Sequence, residues 1–148
     1  LLYSSLMEMI YLLRKGRMRI AKSQNRIVLL SLGTVNTMSK KGNGYMLELD
    51  RKPHCIAWWD AARDADMAGF AELICIHSLK AGWHQGYGSL MMQQILADVK
   101  SAGYAKILLW VFDSNVRAIK FYETHGFVAS GRKQPALGAV EEMYIKEL

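Results

Sequence analysis

From Gly42 onward the alternation of apolar and polar residues resolves into short elements, whereas the stretch before it is less regular. Tyr45 to Leu49 is apolar around Glu48, and Asp50-Arg51-Lys52-Pro53 separates it from a second apolar run, Cys55 to Trp59; this predicts strand, turn and strand. Asp60 to Gly69, carrying Arg63, Asp64 and Asp66, reads as a loop, and Phe70 to Ser78 as a third strand, so an antiparallel meander is expected. After Gly86-Tyr87-Gly88, apolar residues at Leu90, Met91, Ile95, Leu96 and Val99 recur near the helical period until Gly103 ends the helix. Tyr104 to Phe112 is predicted as a strand, and its uninterrupted apolar run from Ile107 suits one covered on both faces. Asp113 and Ser114 stand where they can cap a helix from about Asn115 to His125, with Gly126 just beyond its end. Strands over Phe127 to Gly131 and Val140 to Lys146 complete the order. Upstream, Leu6, Met9, Ile10 and Leu13 recur at helical spacing, while Arg26 to Leu32 suits a strand or a helix equally. Strands, helix, strand, helix and strands predict an α/β (α+β) fold around a central mixed sheet.

Composition agrees with one domain. The 148 residues are 51% hydrophobic with only 2 prolines, which supplies a full core and excludes a disordered chain. No repeat or Ser/Pro-rich linker suggests a boundary. The formal charge of +6 invites a polyanionic partner, but its distribution changes that reading. Up to Leu47 there are eight basic residues and one acid, leaving 11 basic and 12 acidic residues for the remainder. Residues 1–44 therefore read as an atypical basic segment and 45–148 as a nearly neutral core. Cys55 and Cys75 are too few for a disulfide framework or a cysteine-based zinc site, and no metal is expected. The apolar start, Leu1 to Leu13, is shorter than a membrane span, and its basic cluster follows it instead of preceding it as in a signal peptide. A cytoplasmic protein without membrane partner is expected, and with no nucleic-acid motif the basic segment is not read as a nucleic-acid binder. A homodimer contact over Leu6 to Leu13 is the other role open to it.

Two motifs carry candidate chemistry. A strand ending at Ser78, then Gly86-x-Gly88 and a helix, suits an anion: glycines let phosphate oxygens reach backbone N–H groups, and the helix dipole adds positive potential. The groups concerned run from Trp83 through His84, Gln85, Gly86, Tyr87 and Gly88 to Ser89, whose hydroxyl can join them. Met91 breaks the dinucleotide pattern Gly-x-Gly-x-x-Gly, and the Lys-Ser/Thr of a P-loop is absent. A plain structural turn explains an isolated Gly-x-Gly at least as well. In the second motif, Asn115, Ala118, Ile119 and Tyr122 share one helix face, combining an amide, a small residue and a phenol. The bland alternative is a core stripe with Asn115 capping the helix.

Together the motifs resemble the GCN5-related N-acetyltransferase (GNAT) superfamily in order and spacing. Its strand followed by Gln/Arg-x-x-Gly-x-Gly/Ala is matched by Glu72 to Ser78 and Trp83-His84-Gln85-Gly86-Tyr87-Gly88, with Trp83 in place of Gln or Arg and Lys80 in place of a frequent proline. Its Asn-x-x-Ala-x-x-Phe-Tyr-x-x-x-Gly-Phe is matched by Asn115, Ala118, Phe121, Tyr122, Gly126 and Phe127. The resemblance spans about Tyr45 to Leu148; the family's first strand and two helices would lie upstream, where Met18 to Ser23 is the candidate for a shortened strand.

The resemblance implies acetyl-coenzyme A as co-substrate and direct attack by an amine in a ternary complex, with a small-molecule primary amine as the acceptor. A protein or peptide acceptor, or a non-catalytic coenzyme A-binding module, are the alternatives. An alkylammonium must lose a proton before attack, and the departing thiolate benefits from a proton donor. Tyr122 is placed as that donor, and Glu72 as a general base acting through water. The competing reading of Glu72 is an exposed strand carboxylate that attracts a cation, and His77 is a second candidate base. Backbone groups of Ile76 and Ser78, with Asn115, would hold the pantetheine arm.

Overall fold

A computed structural model describes residues 26–30, 43–49 and 52–148. Among these residues the strands are β1 (Arg26–Leu30), β2 (Asn43–Leu49), β3 (Lys52–Ala61), β4 (Ala71–Ser78), β5 (Lys106–Phe112), β6 (Val128–Ala136) and β7 (Ala139–Glu147). Two helices accompany them, α1 (Tyr87–Ser101) and α2 (Val116–Thr124). The strands form one mixed sheet in the order β1-β2-β3-β4-β5-β7-β6. The expected meander is present, because β1 to β4 pair antiparallel in sequence. The return from β4 to β5 through α1 makes the one parallel pair, flanked by the antiparallel β5–β7 and β6–β7 pairs.

Alternation along the strands sorts the core. Tyr45, Leu47, Cys55, Ala57, Trp59, Ala71, Leu73, Ile107 and Leu109 pack with Met91, Met92, Ile95 and Val99 of α1. Ala118, Ile119, Phe121 and Tyr122 of α2 join the same cluster, so both helices cover one face of the sheet. Met46, Ile56, Trp58, Leu108 and Met143, at intervening positions, are also buried but lie outside that cluster. β5 is therefore buried on both faces, as its unbroken apolar run predicts. A polar chain tethers α1 across the core face: Trp59 Nε1 donates to Tyr45 Oη at 2.9 Å, and Tyr45 Oη donates to Asp98 Oδ2 at 2.9 Å. Desolvation pushes the Tyr45 phenol up to about 12, which keeps it a donor.

The register of β3 and β4 shifts once. Trp58 faces Cys75 but Trp59 faces Leu73, so Ile74 is an extra residue on β4. Such a bulge bends its strand and increases twist. Beyond it the parallel partner is lost: β4 pairs with β5 only at Ala71–Ile107 and Glu72–Leu108. The two strands then part, leaving Cys75 to Ser78 without partners on the β5 side.

Several boundaries differ from the sequence expectation. Asn115, not Asp113 or Ser114, caps α2, with its side-chain oxygen accepting the Ala118 N–H at 3.2 Å. β6 runs on to Ala136 because Gly131, at φ 78°, lies where the pairing with β7 is interrupted between Ala129 and Lys133, and does not end the strand. α1 starts at Tyr87, a turn's breadth before its first apolar marker, Leu90. Arg26 to Leu30 resolves as a strand because β2 pairs with it along its length. The candidate strand Met18 to Ser23 and the stretch Leu6 to Leu13 lie outside the described residues.

Ile95 is fully buried between α1 and the sheet. Ile95→Ala is expected to lower unfolding free energy by about 2–5 kcal/mol, measured by denaturant titration.

Candidate active site

The parting of β4 from β5 opens a cleft of about 510 Å³ on the helical side of the sheet. Its walls are the end of β4 (Ile76, His77, Ser78), the turn leading into α1, and α2. The turn begins with one 3₁₀ turn, Lys80–Gly82, and proceeds through His84 and Gly86, both left-handed at φ 62° and 80°. Gly86 is the N-cap of α1 and brings no side chain to it. The first N–H groups of a helix have no intrahelical partner, so those of Tyr87, Gly88 and Ser89 face the cleft without a cap. The contrast with α2 is direct, since Asn115 already serves the α2 N-terminus.

Close packing shapes the opposite wall. A Cβ on Gly88 would stand 3.3 Å from the Phe121 ring and 3.6 Å from Ser78 Oγ, so the glycine lets α1, α2 and β4 converge. Trp83 Nε1 donates to the Ser78 carbonyl at 3.2 Å, holding the indole beside the end of β4. Tyr122 lies on the cleft wall with its ring edge-on to Phe121 and Phe127 at centroid distances of 5.6 and 6.0 Å. Desolvation, with a smaller contribution from Cys75, pushes the Tyr122 phenol up to about 12. It therefore keeps its proton across the physiological range. Cys75, its own thiol raised to about 12 by desolvation, is no nucleophile at neutral pH.

Most of the residues singled out in the sequence converge here. Ile76, Ser78, Trp83, His84, Gly86, Tyr87, Gly88, Ser89, Ala118 and Tyr122 all line the cleft. Gln85 is exposed and Asn115 turns its amide to the α2 backbone; neither is among the lining residues. Glu72 is also outside the lining, and it is only 2% exposed, so the reading as an exposed strand carboxylate does not hold. Its carboxylate accepts from the Arg63 backbone N–H at 3.0 Å, from Arg63 Nε at 3.1 Å and from Arg63 Nη2. Gly82 and Arg117 went unmarked by sequence reasoning, and Phe121 entered it only as part of the matched motif. Helical spacing puts Phe121 four residues after Arg117, a signal that was available; the turn that brings Gly82 against the Tyr87 ring was not.

Comparison with known proteins bears on this geometry. Residues 34–127 match the model of the Acetyltransferase (GNAT) family. The chain belongs to that family. Its members are acyltransferases, and the mixed sheet with its two helices is the family's fold. This acetyltransferase is similar to a GNAT-family acetyltransferase from Streptococcus pneumoniae, at 23% identity and TM-score 0.63 over 74% of this chain and 68% of the other. It also resembles a GNAT acetyltransferase from Elizabethkingia anophelis with acetyl-CoA bound (15%, TM-score 0.60, 72% and 76% covered). A third similar structure is the ribosomal-protein-S18-alanine N-acetyltransferase from Escherichia coli (21%, TM-score 0.58, 73% and 68% covered). No curated protein sequence matches this acetyltransferase.

The Arg63–Glu72 pair joins a buried carboxylate to an arginine whose side chain is 62% exposed. Arg63→Leu leaves that carboxylate without its main partner, and a loss of about 1–3 kcal/mol is expected in thermal or denaturant unfolding.

Proposed function

We propose that this protein binds acetyl-coenzyme A in the cleft at the unpaired end of β4 and transfers its acetyl group to a primary amine of a small molecule, by direct attack in a ternary complex. The observation that carries the proposal is the convergence of uncapped α1 amides, the unpaired end of β4 and the Tyr122 phenol on one cleft. The amides of Tyr87, Gly88 and Ser89 suit the pyrophosphate, and the backbone of Ile76 and the N–H of Ser78, unpaired on the β5 side, suit the amides of the pantetheine arm. Gly88 and Ala118 keep that path free of bulk.

Tyr122 serves as the donor toward the departing sulfur. A phenol near 12 is a weaker acid than an alkyl thiol near 8.5, so full proton transfer to the thiolate is uphill. The hydroxyl works by hydrogen-bonding the developing charge. The proton lost by the amine has two acceptors on β4. Glu72, with its oxygens occupied by Arg63, takes it only through intervening water. His77 lies on the cleft wall, and desolvation holds its ring below the ordinary imidazole value, so it is neutral at pH 7 and free to accept.

Tyr122→Phe is expected to lower kcat about 10- to 100-fold in a thiol-release assay with an amine panel; an unchanged kcat removes Tyr122 from the mechanism. The base is assigned by pH profile. With His77 as base, kcat/KM falls on the acid side as the ring protonates, and His77→Gln abolishes that limb with a loss of about 100-fold; if Glu72→Gln does so instead, the water-mediated route is the operative one. Calorimetry that detects no acetyl-coenzyme A binding would sink the whole proposal.

A further inference from the structure

Arg117 occupies an unusual position at the mouth of the cleft. Its guanidinium carbon lies 3.4 Å from the centre of the Trp83 ring, the distance of a face-to-face stack. Both side chains line the cleft, and the indole is itself fixed by its N–H bond to the Ser78 carbonyl. A guanidinium stacked through its face commits none of its N–H donors, which remain available in the plane. The other two arginines with described side chains are engaged differently. Arg63 is bound to Glu72, and Arg132 pairs with Asp64 and Asp66. Among the described residues no carboxylate lies within ion-pair distance of Arg117.

A cation held rigidly at a cleft mouth, with free donors and no acidic partner, is arranged for an anion. Resting on the coenzyme A reading above, we propose that Arg117, oriented by Trp83, is a phosphate-binding residue that sets the preference of this enzyme for the phosphorylated coenzyme over shorter acyl thioesters. The ligand chemistry is a phosphate monoester or pyrophosphate, which the planar donor fork can engage at two oxygens.

The test compares acetyl-coenzyme A with S-acetylpantetheine, which has no phosphate, as the ratio of kcat/KM values, with binding of acetyl-coenzyme A and acetyl-3′-dephospho-coenzyme A followed by calorimetry. Arg117→Gln is expected to reduce the ratio and the acetyl-coenzyme A affinity about 10- to 100-fold. Arg117→Lys, which keeps the charge but not the plane, should recover part of the loss, and Trp83→Leu should lose affinity in the same direction by a smaller factor. Equal losses with both nucleotides assign the contact to the pyrophosphate; a loss confined to the 3′-phosphorylated form assigns it to that group. A ratio within twofold of the unsubstituted enzyme, even with both rates lowered, overturns the inference and leaves Arg117 a structural residue. Absence of acetyl-coenzyme A binding by the unsubstituted protein overturns the coenzyme reading itself, and this inference with it.

Discussion

Everything the site does depends on β4 and β5 failing to stay paired. Two parallel pairs hold them at one end, and the extra residue Ile74 bends β4 away from its neighbour beyond that point. A parallel pair buried in the middle of a sheet would ordinarily satisfy both edges. Here the separation leaves backbone groups of β4 unpaired inside the protein, a cost that only a ligand or water can offset. The neighbours make the gap affordable. β3 pairs with the outer edge of β4 on both sides of the Ile74 bulge, β7 pairs with β5 along all seven residues, and α1 packs in one core with residues of β3, β4 and β5. The gap is thus held open by a rigid frame, not by a flexible loop.

The same frame separates the chemistry by face and by height. On the helical side, the cleft combines uncapped N–H groups, a phenol that keeps its proton and a stacked guanidinium. Glu72, at an intervening position on β4, faces away from the packed cluster and carries its charge under Arg63. A sheet lets one strand serve both sides because neighbouring residues point oppositely. In this protein that single strand brings Ile76 and Ser78 to the cleft and turns Glu72 to the other face.

Much of the architecture was legible beforehand. The meander, the α1 stripe Met91, Ile95 and Val99, the doubly covered β5 and the helix α2, though not its capping residue, all follow from periodicity and turn chemistry. Periodicity stayed silent on Arg26 to Leu30, because a short apolar run becomes a strand only when another strand accepts it, as β2 does. It misread Gly131 for the same reason: a glycine that would end an isolated strand is absorbed where a partner strand continues. At the site, the glycine turn and the Asn115-to-Tyr122 helix were visible as motifs, and their spacing carried the family resemblance.

What the residues determined by themselves is local: which segments are strands or helices, where glycine permits a left-handed turn, and which side chains are chemically able to donate or accept. The fold alone decided which of them meet. Glu72 and Arg63 are nine residues apart and could have been two exposed charges; antiparallel return of the chain through the loop buries one against the other. Trp83 and Arg117, on different elements, become a stack only because α1 and α2 cover the same face of the sheet. Local propensity acts through the nearest few residues, whereas burial and charge pairing depend on distances that exist only once the sheet has closed.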